Sequence, residues 1–423
     1  MKKSGIIKFV KNEYIFSIIT KFFNIVISML QSVVVARFLG AELKGVSAYI
    51  QSITSIGAII VTFGMHQAYP YFRKKYGKDE IYQDFVSIVW ITYTIYFIIA
   101  ILLTVLLPVS IELKSTFILI PLMGYTNVVS YITLIEHPNL RNKMWMIIYI
   151  LDLIYVVILW LFVQRSIYWA ISILLFAEIL KCIVYTRMLK TRPHLSKKMT
   201  SLFSEIVRFG FFPMLALLMT TLNYRIDILM LHKYDFITDA MIGVYSLGLT
   251  LSDKIVLIPD TLKGVLVSKL AKGAEDEEVA KVARLAFWSS VLLCLLIIIF
   301  GRLFINLFYG SEYSDAYFVV IITATGVLAI SYFKLIAQYN IVNRKQKLNV
   351  LMLSIAILVD VVLNMLFIPK WGINGAAFAT SIGNIVCGVV FIIYFCKYTG
   401  IKYSSMILLK REDFRKLNDI LRR

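Results

Sequence analysis

The sequence predicts an all-α polytopic integral membrane protein with about twelve transmembrane helices in two six-helix lobes and a central cavity. Of the 423 residues, 60% are hydrophobic and only 16% are charged, whereas about a quarter of residues in soluble domains are charged. The mean hydropathy is +0.80, and apolar runs alternate with short polar clusters along the chain. Because one span needs about 20 apolar residues, a dozen spans leave no room for a soluble catalytic domain.

The apolar runs, each broken by charged or turn residues, predict twelve spans in order. The first six lie at about 14–36, 46–70, 84–108, 115–136, 144–164 and 166–187. The second six lie at about 207–231, 241–268, 283–309, 316–342, 349–369 and 373–396. No predicted outer connection exceeds about ten residues, so function is expected to reside among the helices.

Lysine and arginine are distributed unequally over the connections between these runs. The connections on one side carry 30 basic residues, including both termini, and those on the other side carry 7. Basic loops stay in the cytoplasm, so both termini are predicted to be cytoplasmic, in a multi-pass protein of the inner (cytoplasmic) membrane. The net charge of +19 is thus explained by topology, and no nucleic-acid partner is expected.

A polar break near the middle of the chain divides the predicted helices six from six. The resulting segments are an N-terminal lobe at 1–188, a cytoplasmic linker at 189–206, a C-terminal lobe at 207–398 and a basic cytoplasmic tail at 399–423. In the tail, Phe414, Leu417 and Leu421 recur at helical spacing among basic residues. This pattern fits an amphipathic helix on the inner leaflet, and it equally fits a frayed tail that serves only topology.

Polar residues recur at corresponding positions of the two predicted lobes. Asp152 and Asp360 occupy the fifth helix of each half, and Glu178 and Asn384 occupy the sixth. Because both halves begin on the cytoplasmic side, the repeat would be parallel, about an axis along the membrane normal.

Charged side chains inside the predicted spans are the main functional signal, because a charge in the bilayer requires a cavity or a partner. These residues are Lys21, Asp152, Glu178, Lys181, Arg225, Asp227, Asp253, Lys254, Lys334 and Asp360. Glu178 and Lys181 are spaced to pair on their own helix. No acid lies within one turn of Lys21 or Lys334, which makes these two the better candidates for binding an anion.

The stretch TTLNYRIDILML in helix 7 carries Arg225 and Asp227 two positions apart. Such neighbours point in nearly opposite directions on a helix. Either one of them faces a cavity, or both pair with neighbouring helices. In the next helix, Pro259 follows Asp253 and Lys254 and permits a bend, because proline removes one backbone hydrogen bond.

The signatures of enzymatic or metal chemistry are missing from the sequence. The four cysteines, Cys182, Cys294, Cys387 and Cys396, lie in apolar runs without metal-ligand spacing. The four histidines, His66, His137, His194 and His232, form no paired-ligand motif, and no phosphate loop occurs. We therefore predict no catalytic residues, metal or cofactor.

Five fragments, in order along the chain, resemble one family. They are VVVARFLGAELKGVSAYIQSI, RFGFFPMLALLMTTLNYRIDILML, IGVYSLGLTLSDKIVLIP, LFYGSEYSDAY and NMLFIPKWGINGAAFATSIGNI. Together they look like the polysaccharide transporter (Wzx-like) flippases of the multidrug/oligosaccharidyl-lipid/polysaccharide (MOP) flippase superfamily. The resemblance covers essentially the whole chain. It is fairly specific for the family and not for a substrate.

The resemblance implies two lobes that open alternately to either side of the membrane. It also implies movement of an undecaprenyl-diphosphate-linked oligosaccharide from the inner to the outer leaflet through a polar, often cationic, cavity. By location, Lys21, Arg225, Lys254 and Lys334 would bind the diphosphate, since an anion in a low-dielectric site needs positive partners. The acidic residues Asp227, Asp253, Asp360 and Asp152 would serve ion coupling or intramembrane pairing.

The hypothesis is therefore a lipid-linked oligosaccharide flippase for cell-surface polysaccharide of the O-antigen or capsule type. Its partners would be the lipid-linked substrate and membrane lipid, with a polysaccharide polymerase and glycosyltransferases as candidates, and a monomer would suffice. The alternatives are a cation-coupled multidrug exporter of the same superfamily, a membrane glycan polymerase or ligase, and a scaffold without transport activity. The short outer loops argue against the polymerase, and the buried charges argue against the scaffold.

Overall fold

The protein is helical throughout the part of the chain that the structure describes. The computed structural model describes residues 13–189, 194, 199–271, 275–343, 345–410 and 413, without the side chains of 13–22, 78–80, 138, 139, 142, 264, 265, 267–269 and 271. Within these ranges all regular elements are helices and none is a strand. The predicted all-α membrane fold is confirmed. The predictions for the Lys21 side chain and for Phe414, Leu417 and Leu421 lie outside the described residues.

Two compact units divide the chain, Met1–Leu218 and Met219–Arg423. Up to the division the helices are α1 Glu13–Thr62, α2 Met65–Tyr76, α3 Lys78–Leu106, α4 Ile111–Glu136, α5 Pro138–Phe162, α6 Ile167–Leu189 and α7 Met199–His232. Residues 199–206, which the sequence assigned to the linker, are thus the beginning of α7, and this helix contributes to both units. His194 contacts α3: its Nδ1 lies 3.0 Å from Ser87 Oγ and its Nε2 lies 2.8 Å from Asp84 Oδ1.

Six helices and several short turns complete the second unit. The helices are α8 Asp239–Ser252, α9 Leu257–Ala271, α10 Asp276–Phe304, α11 Ala316–Val342, α12 Gln346–Thr399 and α13 Tyr403–Ile407. The Thr238 hydroxyl caps α8 by accepting from the Met241 amide at 3.3 Å. Asp276, Glu277 and Glu278 occupy the first turn of α10, where negative charge complements the helix dipole.

Ten helical segments within the described residues are long and apolar enough to cross a membrane. The protein is therefore a multi-pass membrane protein. The twelve predicted spans map onto these ten because two of the segments each contain two predictions. Gly40 separates spans one and two inside α1, and Gly372 separates spans eleven and twelve inside α12. Both glycines have positive φ, 72° and 56°, so the chain changes direction there without a polar loop.

The helix that the sequence predicts over 241–268 is interrupted, as expected, but one turn before Pro259. A 3₁₀ turn over Asp253–Val256 separates α8 from α9, and Pro259 is the third residue of α9, where an amide hydrogen is not required. The carbonyl of Ile255 lies four residues before the proline and accepts instead from Ser290 Oγ at 3.3 Å. The turn places Asp253, Lys254 and Asp260 at the junction of two helices.

In the first unit, the junction of α1 and α2 contacts α7 backbone to backbone. Phe63 and Gly64 both have positive φ, 43° and 68°. A Cβ atom on Gly64 would lie 2.2 Å from the carbonyl oxygen of Gly210, and one on Gly210 would lie 2.0 Å from that of Phe63. Neither glycine can therefore be replaced without moving a backbone segment.

A strap at the C-terminal end of the described chain closes the second unit. We use this name for residues 400–410 and 413. The Arg284 guanidinium of α10 donates to both carboxylate oxygens of Asp413, at 2.7 and 2.6 Å, and also to the Ser405 carbonyl. Met406 is fully buried, and Trp288 Nε1 donates to the Ile407 carbonyl at 2.8 Å. The strap is thus anchored by a buried, bidentate ion pair.

Candidate functional site

The second unit contains a buried group of oxygen-rich side chains, which we call the acidic cluster. Its members are Asp227 of α7, Tyr245 of α8, and Asp360, Asn364 and Thr380 of α12. The carboxylate Oδ2 of Asp227 accepts from the Tyr245 hydroxyl at 2.6 Å and from the Thr380 hydroxyl at 2.8 Å. One carboxylate thus joins three helices.

Asp360 is the second acid of the cluster. The amide of Asn364, one turn later, donates to Asp360 Oδ1 at 3.1 Å and to the Asp360 carbonyl at 3.0 Å. After the turn at Gly372 the chain returns, and a Cβ on Gly383 would lie only 2.9 Å from that of Asp360. The side chains of Asp227 and Asp360 interact electrostatically. Like charges this close in a low-dielectric interior repel each other.

Three buried oxygens of the acidic cluster have no hydrogen-bond partner among the described residues. They are Asp227 Oδ1, Asp360 Oδ2 and Asn364 Oδ1. Buried oxygens are normally paired, because leaving one unsatisfied costs roughly 1–3 kcal/mol. Oxygens with spare lone pairs beside two carboxylates can accept a proton or a small monovalent cation, and either would relieve the repulsion.

A second group in the same unit, the mixed-charge cluster, lies around the 3₁₀ turn. Its members are Arg225, Asp253, Lys254, Asp260, Lys263 and Lys334. Asp253 interacts electrostatically with Lys334, Arg225 and Lys254. Lys334 Nζ forms an ion pair with Asp260 Oδ2 at 2.7 Å. Four cations against two carboxylates leave this cluster with a positive net charge.

The side chains of the mixed-charge cluster differ in their exposure. Asp253 and Asp260 are exposed, whereas Arg225, Lys254 and Lys334 are half-buried. Lys334 also lies 6.0 Å from the centroid of the Tyr224 ring, within range of a weak cation–π contact. The cluster is accessible and cationic, as a site for an anionic group has to be.

Arg225 and Asp227 belong to different clusters, although they also interact electrostatically with each other. Asp227 is fully buried in the acidic cluster. Arg225 is half-buried and interacts electrostatically with Asp253 as well as with Asp227. One turn before Asp227, Asn223 donates to Asn384 Oδ1 at 3.0 Å. A single turn of α7 therefore contributes to both clusters.

The first unit places a different set of groups around Asp152 of α5. Asp152 is buried and accepts from the Gln31 amide of α1. It also interacts electrostatically with Lys181, whose Nζ forms the ion pair with Glu178 Oε1 at 2.6 Å that the i, i+3 spacing predicts. Asp152 thus has an amide, a cation and the Glu178 carboxylate nearby, whereas its counterpart Asp360 has the Asn364 amide and the carboxylate of Asp227.

The structure brings together Arg225, Lys254 and Lys334, three of the four cations that the sequence singled out, and it groups Asp227 with Asp360. Asp253 lies among the three cations, and Asp152 belongs to the first unit. The sequence missed Asp260, Tyr245, Asn364 and Thr380. Two of these had a signal, since Asp260 follows Pro259 directly and Asn364 lies four residues after Asp360.

Among the described residues, no group of three or more His, Cys, Asp or Glu side chains is placed to bind a metal ion. Ser87, His194 and Asp84 are arranged like a hydrolytic triad. However, the side chain of Ser87 is fully buried and donates to the Gln83 carbonyl at 2.8 Å. The Ser87 hydroxyl is therefore inaccessible to a substrate.

Comparisons with known proteins identify the fold and the family of this chain. The structure is similar to the lipid II flippase MurJ in an inward closed conformation, with a TM-score of 0.71 and 16% identity over 96% of each chain. It is also similar to an inward-facing multidrug resistance MATE family transporter of the MOP superfamily, with a TM-score of 0.67 and 12% identity over 91% of this chain and 98% of that chain.

A MOP superfamily transporter from Pyrococcus furiosus has a TM-score of 0.58 and 12% identity over 90% of this chain and 94% of that chain. No curated protein matches the sequence. The chain therefore shares the fold of these three proteins. The model of the family described as "Polysaccharide biosynthesis protein" matches residues 34–318, and the chain belongs to this polysaccharide biosynthesis protein family.

Proposed function

We propose that this protein is a flippase that moves an undecaprenyl-diphosphate-linked oligosaccharide from the inner to the outer leaflet for cell-surface polysaccharide synthesis. The observation that carries the proposal is the mixed-charge cluster, in which Arg225, Lys254 and Lys334 surround an exposed carboxylate within a membrane-embedded unit. A diphosphate has to leave water to cross the membrane, and positive side chains replace its hydration. Family membership supports the polysaccharide pathway.

In this proposal the protein acts by alternating access in the cytoplasmic membrane, with both termini in the cytoplasm. The protein is a transporter and not an enzyme. Its partners are the lipid-linked substrate and the surrounding lipid, and the polymerase and glycosyltransferases of the same pathway are candidates. The two proposed lobes of one chain suffice, so no second copy is required.

We further propose that the acidic cluster couples transport to a proton or a monovalent cation. Asp227 and Asp360 repel each other unless one of them is protonated or a cation lies between them, and three oxygens are available to bind it. Binding would change the net charge of the part of α7 that also carries Arg225. The ion and the substrate would thereby act on the same helix turn.

The test of the flippase proposal is complementation of a strain that lacks its own polysaccharide flippase. We expect the wild type to restore surface polysaccharide, and Arg225→Ala to lose it at matched membrane expression. Lys21→Ala tests the predicted fourth cation in the same assay. Asp315→Asn, an exposed carboxylate at the start of α11, is the control and should retain activity. Translocation in inverted vesicles, with labelled lipid-linked saccharide, then measures the step directly.

A multidrug exporter is the second candidate, because a buried acidic pair also suits cation-coupled export and the fold is shared with MATE transporters. This alternative predicts resistance to cationic drugs in a pump-deficient strain. Asp227→Asn should abolish that resistance, and Arg225→Ala should spare it. Restored polysaccharide without drug resistance would exclude the exporter.

A further inference from the structure

The ion pair between Lys334 and Asp260 is unequally exposed. Lys334 belongs to α11 and its side chain is 17% exposed, whereas Asp260 belongs to α9 and its side chain is 46% exposed. The Nζ–Oδ2 distance is 2.7 Å. The Asp260 carboxylate can therefore move away into its open surroundings more easily than the Lys334 ammonium group, because the Lys334 side chain is the more buried of the two.

The position of Asp260 follows from the break between α8 and α9. The 3₁₀ turn and Pro259 place Asp260 in the first turn of α9, where a negative charge is favoured by the helix dipole. Asp260 is thus stabilised by its own helix even when it does not contact Lys334. When the ion pair breaks, the Asp260 carboxylate is exposed, and it still compensates the positive end of its own helix.

The charge of the mixed-charge cluster defines the anion that fits it. Arg225, Lys254, Lys263 and Lys334 oppose Asp253 and Asp260. If an incoming anion replaced Asp260 beside Lys334, the cluster would lose the single negative charge of Asp260 and gain the negative charges of the ligand. A diphosphate diester has a charge on each phosphoryl group, so one can take the place of Asp260 while the other is bound by the remaining cations.

We infer that Asp260 is a displaceable counter-ion that occupies Lys334 in the absence of substrate and is replaced by a phosphoryl group of a diphosphate ligand. The inference rests on the proposed function and identifies the residue that sets the affinity for the anionic group. Displacement favours diphosphates over ligands with a single negative charge. A singly charged ligand only replaces the charge of Asp260, whereas a diphosphate brings a second charge that the other cations can bind. Displacement also keeps Lys334 neutralised after the substrate has left.

The experiment measures binding of inorganic diphosphate to the full-length protein in nanodiscs by isothermal titration calorimetry at low ionic strength. Asp260→Asn removes the competing charge and is expected to bind diphosphate about tenfold more tightly. Lys334→Gln is expected to bind it about tenfold more weakly. In the double variant Asp260→Asn/Lys334→Gln, the gain from Asp260→Asn should disappear, because its target is missing.

Two comparisons separate displacement from a general change in charge. Asp315→Asn removes an exposed negative charge elsewhere in the unit and should leave the affinity unchanged. Inorganic monophosphate should gain less than diphosphate from Asp260→Asn. Thermal melting of each variant, monitored in the same nanodiscs, verifies that the fold is retained.

The inference is overturned if Asp260→Asn binds diphosphate no more tightly than the wild type, if the gain persists in the double variant, or if no variant binds diphosphate. In a flippase-deficient strain, wild-type rescue together with unchanged affinity in Asp260→Asn would refute the counter-ion and leave the flippase standing. Coupling between the two residues without any rescue would support the counter-ion and refute the flippase.

Discussion

At the scale of single residues, the contrast between Asp360 and Asp152 gives the most direct prediction. Asp360 faces a second carboxylate, whereas Asp152 has the Gln31 amide and the cation of Lys181 nearby. Asp360→Asn should remove a repulsion and raise the free energy of unfolding by roughly 1 kcal/mol. Asp152→Asn should remove an attraction and lower it by a similar amount. Thermal melting of both variants in identical nanodiscs is the measurement.

The same two substitutions also test the coupling proposal. Asp360→Asn should abolish the dependence of transport on an imposed proton or sodium gradient, and Asp152→Asn should preserve it. Gradients are imposed one at a time in vesicles loaded with lipid-linked saccharide. Equal loss of gradient dependence in the two variants would contradict the assignment of coupling to the second unit.

What the sequence could predict about individual residues depended on the range of the interaction. The pair between Glu178 and Lys181 follows from their spacing on one helix. The partner of Lys334 did not, because Asp260 lies 74 residues away on a different helix. Tyr245 and Thr380 likewise contribute to the acidic cluster only through tertiary packing, and a tyrosine or threonine in an apolar run carries no distinctive pattern.

At the scale of structural elements, the contact between the α1–α2 junction and α7 predicts strict glycine requirements. Gly64→Ala combines a left-handed φ with a Cβ only 2.2 Å from the Gly210 carbonyl, and it should destabilise the protein by roughly 3 kcal/mol or more. Gly77→Ala is the matched control, because its φ is also positive, at 85°, but its Cβ would meet nothing within 4 Å. It should cost only about 1–2 kcal/mol.

Apparent melting temperatures of the two variants in detergent decide this prediction. Gly210→Ala provides a further check, because its backbone is helical and the substitution adds only the steric clash of a Cβ with the backbone of Phe63 and Gly64. If Gly64→Ala and Gly77→Ala have the same melting temperature, backbone strain dominates, and the close contact between the α1–α2 junction and α7 contributes little.

The strap leads to a prediction with a defined pH dependence. Burial alone would raise the pKa of Asp413, but hydrogen bonds from Arg284 and the Lys410 amide outweigh it and hold that pKa below its usual range. A carboxyl with a lowered pKa contributes stability above its ordinary value of about 4, and the contribution is lost as the pH falls through the folded-state pKa. The strap should therefore stay closed at neutral pH and open only as the pH falls below about 4.

Limited trypsin digestion at Lys402 and Lys410 reports on closure of the strap. Arg284→Ala leaves the Asp413 carboxylate without its partner, an arrangement that costs about 3–5 kcal/mol when both groups stay buried. The strap should therefore open and be cleaved much faster at neutral pH. Arg284→Lys retains the charge but not the bidentate geometry, so its cleavage rate should be intermediate. Equal rates in all three proteins would contradict this anchoring role.

Hydropathy predicted the helices well but not the points where they turn. Apolar runs report burial in lipid, so they located the helices, but several helices begin six to eight residues before the predicted span, as α7 does at Met199 instead of 207. The turns at Gly40 and Gly372 occur without a polar loop, so their φ angles were not visible in the pattern. The break at Asp253–Val256 could be predicted from Pro259 to within one turn, because the missing hydrogen bond points back to Ile255.

At the scale of the whole molecule, the unequal distribution of basic residues predicts the orientation in the membrane. Ser311 and Asn343 are exposed at opposite ends of α11, and they are predicted to face the outside and the cytoplasm. In a variant without the four native cysteines, Ser311→Cys should react with an impermeant maleimide in intact cells. Asn343→Cys should react only after permeabilisation. The reverse pattern would refute the predicted topology.

The hairpin in α12 bears on how the protein resists proteolysis. The residues on either side of Gly372 pack against each other, as the contact of Gly383 with Asp360 shows, and no polar loop joins the two segments. With the predicted topology this hairpin tip faces the outside. A protease that reaches this tip finds a tight reversal of the backbone at Gly372 and no polar loop to cleave, so the tip should resist proteolysis from that side.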